Sequence, residues 1–152
     1  MLGKTFIKTA LLLTIITALP IALKAENAQQ SSLEADQKII EEKKWIITSI
    51  HKSDTEKYDS KHLGFIKFSN GSIEGQSTCN LYDGVYSIGE NQKFEIFRIG
   101  TSLVNCKVGN KMKIEADYVA GLEQVTKYKL ENDQLILLQE GDKEFVRFKL
   151  KK

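Results

Sequence analysis

A chain of 152 residues, 41% hydrophobic and 28% charged, has room for one domain with an extension and excludes a large multidomain enzyme. Its 22 basic residues nearly balance 20 acidic ones, which excludes the concentrated positive excess of a dedicated nucleic-acid binder. Both proportions are those of a folded domain, not of a disordered chain.

The first residues read as an address. Lys4 and Lys8 precede an apolar run from Ala10 to Leu23, broken only by Thr14, Thr17 and Pro20, and small residues follow near Ala25. This is the layout of a secretory signal peptide over residues 1–25. The run of 14 residues is shorter than the roughly 17–25 of a spanning helix, which disfavours the alternative of an uncleaved anchor. No cysteine lies near the cleavage region to carry a lipid. The location expected is periplasmic or secreted, with no stable membrane insertion once the leader is removed. Cleavage takes away Lys4, Lys8 and Lys24 but no acid, so 19 basic and 20 acidic residues remain, a net charge of −1. Broad attraction to membranes or nucleic acid then has no support.

Residues 26–44 are polar, with Leu33, Ile39 and Ile40 as a thin apolar stripe. They are expected to form a polar spacer or a loosely docked helix, capped by Ser32 and ending near Lys44. The charges of Glu41, Glu42, Lys43 and Lys44 read as a solvated face. Residues 45–152 form the domain. There, Trp45, Ile47, Ser49 and His51 alternate against Ile46, Thr48 and Ile50, the pattern of a strand. Residues 52–62 read as a polar loop. Asn70-Gly71, between Phe65–Phe68 and Ser72–Gly75, predicts a type I′ hairpin, since both residues accept positive φ. Asp83-Gly84 and Asn132-Asp133 predict two further turns. Lys93–Ile99 and Glu144–Leu150 alternate again, with Phe145, Arg147 and Lys149 opposing Val146, Phe148 and Leu150. One segment departs from period two. Ile114, Tyr118 and Leu122 recur at four-residue spacing after Asn110, a helix with an N-cap that Gly121 weakens near its end. The fold class expected is α+β, mostly β: an antiparallel barrel-like sheet of about eight short strands with one packed helix.

The residues from Trp45 to Phe148 resemble the META domain family of HslJ-like heat-shock proteins. Trp45 with Ile46-Ile47-Thr48-Ser49 resembles its opening strand. Phe68, Gly71 and Ile73-Glu74-Gly75 are similar to the stretch before the family's Gly-Cys-Asn, and Cys79-Asn80-Leu81-Tyr82-Asp83-Gly84-Val85-Tyr86 to its Cys-Asn-x-Tyr-x-Gly-x-Tyr run. Cys106 stands at the second cysteine, Glu115 with Tyr118, Leu122 and Val125 at the helix, and Leu130–Leu137 at the closing hairpin. Thr78 replaces a glycine, and Ser102 stands where the family's threonine is expected. The resemblance implies a stress-associated envelope protein.

No local motif carries catalysis. His51 and His62 are the only histidines, and Asp54, Glu56 and Asp59 lack the spacing of a calcium loop. No nucleophile elbow or phosphate loop is present. No cofactor and no metal are expected. Asn80, Tyr82, Gly84, Tyr86 and Glu115 have two readings. They form a recognition surface, or Asn80 bonds its own turn, Gly84 supplies positive φ and the tyrosines cover the core. The function expected is a non-enzymatic monomer that binds an unidentified protein or small ligand of the envelope. The alternatives are an inhibitor of an envelope-directed hydrolase such as lysozyme, and an enzyme with an assembled carboxylate site. Cys79 and Cys106 are the only thiols, and an exported chain meets an oxidising environment. They are expected to form a disulfide worth ~3–4 kcal/mol in the chain-entropy picture; two buried reduced thiols are the other arrangement. Alkylation of the native, unreduced protein should add no mass, and two labels should appear only after reduction.

Overall fold

The computed structural model describes residues 19–41, 43–52, 56–59, 62–104, 106 and 109–151. Helix α1 (Leu19–Ile40) leads into strands β1 (Lys44–His51), β2 (Lys57–Asp59), β3 (Phe65–Ser69), β4 (Ser72–Gln76), β5 (Leu81–Ile88) and β6 (Phe94–Thr101). Helix α2 (Lys111–Leu122) follows, then β7 (Lys127–Glu131), β8 (Gln134–Gln139) and β9 (Lys143–Leu150). All strand pairs are antiparallel, in the order β6-β5-β4-β3-β1-β9-β8-β7, with β2 added to β1. The sheet curls into a half-barrel. Its two edges meet at one end, where Lys93 bridges Lys127 and the Phe94 N–H donates to Thr126 O at 3.0 Å.

The fold class is the one the alternation predicts. Inside the curl lies an aromatic row: Phe68 meets Tyr86 and Phe94 edge-on, and Phe94 meets Tyr128. Trp45, Ile47, Ile66, Leu135 and Phe148 complete the floor. Burial of each large apolar side chain stabilises the fold by about 1.5–3 kcal/mol. The Asn70-Gly71 and Asn132-Asp133 turns have positive φ at both central residues, as a two-residue hairpin with right-handed strand twist requires.

Several expectations are corrected. Asp83-Gly84 is not a turn, because β5 runs straight through both residues. A Cβ on Gly84 would approach Ile73 and the Phe97 carbonyl at 3.3 Å, so this glycine keeps a strand crossing narrow and has no positive φ. The polar loop contains β2, which pairs Lys57–Asp59 with Ser49–His51. Strict alternation fails in β1, where the register slips between Ile47 and Ser49. Thr48 occupies this bulge, its hydroxyl donating to Arg147 O at 3.0 Å, and Ile50 thereby enters the core. A second slip, between Leu137 and Leu138, lets Phe145 and Val146 both be buried.

The leader expected over residues 1–25 lies mostly outside the described residues; Leu19 to Ala25 are seen as the start of α1. Ser32 does not cap a helix, since α1 runs through it and its hydroxyl donates to Gln29 O at 2.8 Å. The end of α1 is more than a spacer. Ile40 is fully buried, the Trp45 indole donates to its carbonyl at 2.9 Å, and the Tyr128 hydroxyl donates to Asp36 at 2.7 Å. The charged run after it is not wholly solvated either. Glu41 accepts from the Tyr86 hydroxyl, and Lys44 sits 3.4 Å over the Phe65 ring, while Glu42 lies outside the described residues.

Asn110 precedes α2 as expected, but its side chain makes no cap bond. The buried row is Glu115, Tyr118, Gly121 and Leu122, with Ile114 only half-buried. Gly121 does more than weaken the helix: a Cβ there would overlap the Phe145 ring, so the missing side chain sets how closely α2 lies on β9. Helix propensity alone would make Gly121→Ala stabilising by about 1 kcal/mol. Overpacking reverses the sign, and the variant should lose about 1–3 kcal/mol in urea unfolding.

Candidate functional site

The turn from β4 into β5 and the helix α2 build one corner between them. Ser77 N–H donates to Asn80 O at 2.9 Å, closing the turn. Ser77, Asn80 and Glu115 are all buried, and a buried carboxylate requires donors on its oxygens. It has them. The Asn80 N–H reaches Oε2 at 2.7 Å, the Asn80 amide reaches Oε1 at 2.6 Å, and the Ser77 hydroxyl also donates to Oε2. Burial pushes the Glu115 pKa up, but the bonds from Ser77, from both donors of Asn80 and from the Cys79 backbone outweigh it and hold the pKa below 4.5, the ordinary value.

Asn80 also looks outward. Its Oδ1 accepts from Val104 N–H at 2.8 Å and Ser102 Oγ at 3.0 Å, while Nδ2 donates to Val104 O at 3.2 Å. Both amide protons and both oxygen lone pairs are thereby used. The Asn80 side chain therefore bonds segments more than twenty residues away, and only its main chain bonds its own turn, where one sequence reading had the side chain do so. Ser102, the residue at the family's threonine position, is tied further by its N–H to Leu81 O at 3.0 Å. Thr78 stands without positive φ and donates to Lys111 O at 2.8 Å, joining the turn to the start of α2. Cys79 and Cys106 form a disulfide with Cα atoms 6.0 Å apart.

The remaining sequence candidates lie elsewhere. Tyr82 faces the core, where its hydroxyl donates to Phe65 O at 3.0 Å and shares a hydrogen bond with Tyr118. Tyr86 lies further along β5 against Glu41, and Gly84 is a packing position. Burial, then the neighbouring hydroxyl, raises the Tyr82 pKa; burial, then Glu41, raises that of Tyr86. Both tyrosine side chains are buried. His51 ends β1 beside Glu144 at 3.3 Å, and Glu56 pairs with Lys52 at 2.9 Å; Asp54 lies outside the described residues. No group of three metal-ligating side chains occurs among the described residues.

The residues that sequence reasoning missed line a cleft of ≈ 520 Å³ beside this corner. Met112, Ala116, Val119 and Ala120 of α2 form one wall, and Thr101, Leu103 and Val104 the other. Leu103, Val104 and Met112 are exposed apolar side chains. A second hollow of ≈ 580 Å³ lies beside Leu81, Asp83 and Gly100 and shares Thr101 with the cleft. The cleft is the better candidate, because its walls are apolar and its floor is the fixed Asn80–Glu115 pair. The only sequence signal for it was an apolar Leu103-Val104 pair outside any periodic element.

The chain matches the META domain family over residues 38–152, from the last turn of α1 through β9. No curated protein matches it. Among solved structures, an NMR structure of a protein from Burkholderia xenovorans has 17% identity and a TM-score of 0.62, covering 78% of this chain and 88% of that one. A crystal structure of a DUF4847 family protein from Bacteroides vulgatus has 13% identity and a TM-score of 0.55, covering 75% of this chain and 96% of that one. At such identities the likeness is one of fold.

Glu115→Gln would set an amide donor against those of Asn80 and Ser77, and should cost about 1–3 kcal/mol at neutral pH. The folded-state pKa is lowered, so the carboxylate's contribution is complete above its unfolded value and disappears as pH falls through the folded one. The stability gap between wild type and variant should therefore narrow below pH 4.5 in acid-titrated urea melts.

Proposed function

The chain belongs to the META domain family, and on that premise we propose that it is an exported, stress-associated envelope protein that acts by binding. The observation that carries this reading is the contrast at the corner. The polar groups are buried and consumed by one another, while apolar Leu103, Val104 and Met112 stand at the surface around a cleft. Catalysis needs a group free to accept or donate a proton in contact with substrate. Of the two carboxylates that line the cleft, Glu115 already accepts from three donors, and Glu123 is exposed to solvent at the end of α2 with no acid or base paired to it among the described residues. An apolar cleft of this size suits a small ligand or a partner's side chains.

Export is supported by the leader-like sequence and by the disulfide, a bond that persists in oxidising compartments. Loss of residues 1–25 would also leave intact the α1 bonds of Gln29 to Asn91, Asp36 to Tyr128 and Ile40 to Trp45.

The test is capture from an envelope extract by the immobilised exported protein, beside a Met112→Asp variant. Met112 is the second residue of α2, where an acid suits the helix dipole, so lost binding would not report lost folding. A partner or ligand held by wild type and weakened roughly 10-fold or more by the variant is the expected result. No retained species, or equal retention by both proteins, would overturn the reading.

A further inference from the structure

The segment after β6 has an unusual distribution of bonded and free groups. Ser102 is held through its N–H and its hydroxyl, and Val104 through both N–H and C=O. The Cys79 sulfur packs 3.4 Å from Val104 O, and the disulfide ties the chain again at Cys106. Between these fixed neighbours Leu103 is 95% exposed, and its main-chain N–H and C=O engage no group among the described residues.

An exposed leucine is ordinary by itself. What distinguishes this one is that an exposed side chain stands together with an N–H and a C=O that have no partner among the described residues, between bonded neighbours. The other exposed large apolar residues lack that combination. Leu81 N–H donates to Ser102 Oγ, and its C=O accepts from Ser102 N–H. Val104 is bonded through both main-chain groups, Phe97 is paired with Val85 in the sheet, and Ile39 and Met112 lie in helices.

Enzymes that cleave peptide bonds recognise an extended residue in this way. The side chain enters a specificity pocket, while main-chain N–H and C=O bond the enzyme beside it. We propose that Ser102-Leu103-Val104 is a substrate-like docking loop and that Leu103 enters the apolar specificity pocket of a serine endopeptidase. The proposal rests on the binding reading above and gives it a partner class. Fixed flanks remove most of the entropy that a flexible peptide loses on docking. They also retain Val104, through Asn80 and the disulfide, so the loop occupies the enzyme instead of passing through it. The contact is non-covalent, and the Leu103–Val104 peptide bond stays intact.

The experiment titrates the disulfide-intact exported protein into subtilisin-type and chymotrypsin-type endopeptidases, reading hydrolysis of a chromogenic peptide with Leu or Phe before the cleaved bond. Dose-dependent inhibition is expected. Leu103→Asp should weaken it by roughly 100-fold, and Leu103→Met should stay within about 10-fold of wild type. The side chain is almost fully exposed, so neither substitution threatens folding. Unimpaired hydrolysis with both enzymes, rapid scission after Leu103, or equal inhibition by Leu103→Asp would each overturn the proposal. If a partner sensitive to Met112→Asp is captured while the peptidases are untouched, the binding reading stands and only the loop proposal falls.

Discussion

The constraint on which the rest depends is the burial of one carboxylate. A charge such as that of Glu115 inside an apolar interior is costly unless its oxygens are occupied. Ser77 and Asn80 occupy them, and in doing so they join the β4–β5 turn to the inner face of α2. Tyr118 and Leu122 on the same helix supply the apolar burial, but apolar contact tolerates sliding. The hydrogen bonds do not, because their lengths and directions admit one register. Helix α2 is therefore positioned by polar chemistry and held by apolar packing. Asn80 extends the same network outward with its remaining valences, which is why the segment after β6 has a defined course.

Curvature has a separate origin. Register slips at Thr48 in β1, at Arg98 opposite Gly84, and at Phe145 in β9 bend the strands and change which face a residue meets. Arg98 lies at a φ of +57°, a conformation its position in the β6 bulge accounts for. Two of these slips are matched by space. Gly84 leaves room beside Ile73, and Gly121 leaves room for the Phe145 ring that the β9 slip turns inward. The aromatic row from Phe68 through Phe94 to Tyr128 then fills the interior, and Tyr128 reaches past it to hold α1 through Asp36.

These two features bear on function together. A corner whose donors and acceptors are all used is poor chemistry and good scaffolding. It holds neighbouring groups still. The side chains it displays are apolar, and so is most of the cleft beside them. The recognition proposed for this surface would draw on burial and preorganisation, as at the anchors of protein interfaces.

Local pattern alone carried much of the fold. Alternation marked most of the strands, Asn70-Gly71 and Asn132-Asp133 marked hairpins through their tolerance of positive φ, and four-residue spacing marked α2. The ordered run from Cys79 to Tyr86, with Cys106 and Glu115, marked the family. Asp83-Gly84 misled because a glycine needed for close packing looks the same in sequence as one needed for a turn. The bulges were invisible because a one-residue slip is set by pairing with a distant strand. The site was legible in its members and not in its geometry. Composition and periodicity determined the fold class of this protein; the tertiary structure alone decided that Asn80 binds Val104, that Glu115 points inward and that Leu103 stands free. Those outcomes depend on contacts between residues more than twenty positions apart, which local sequence does not encode.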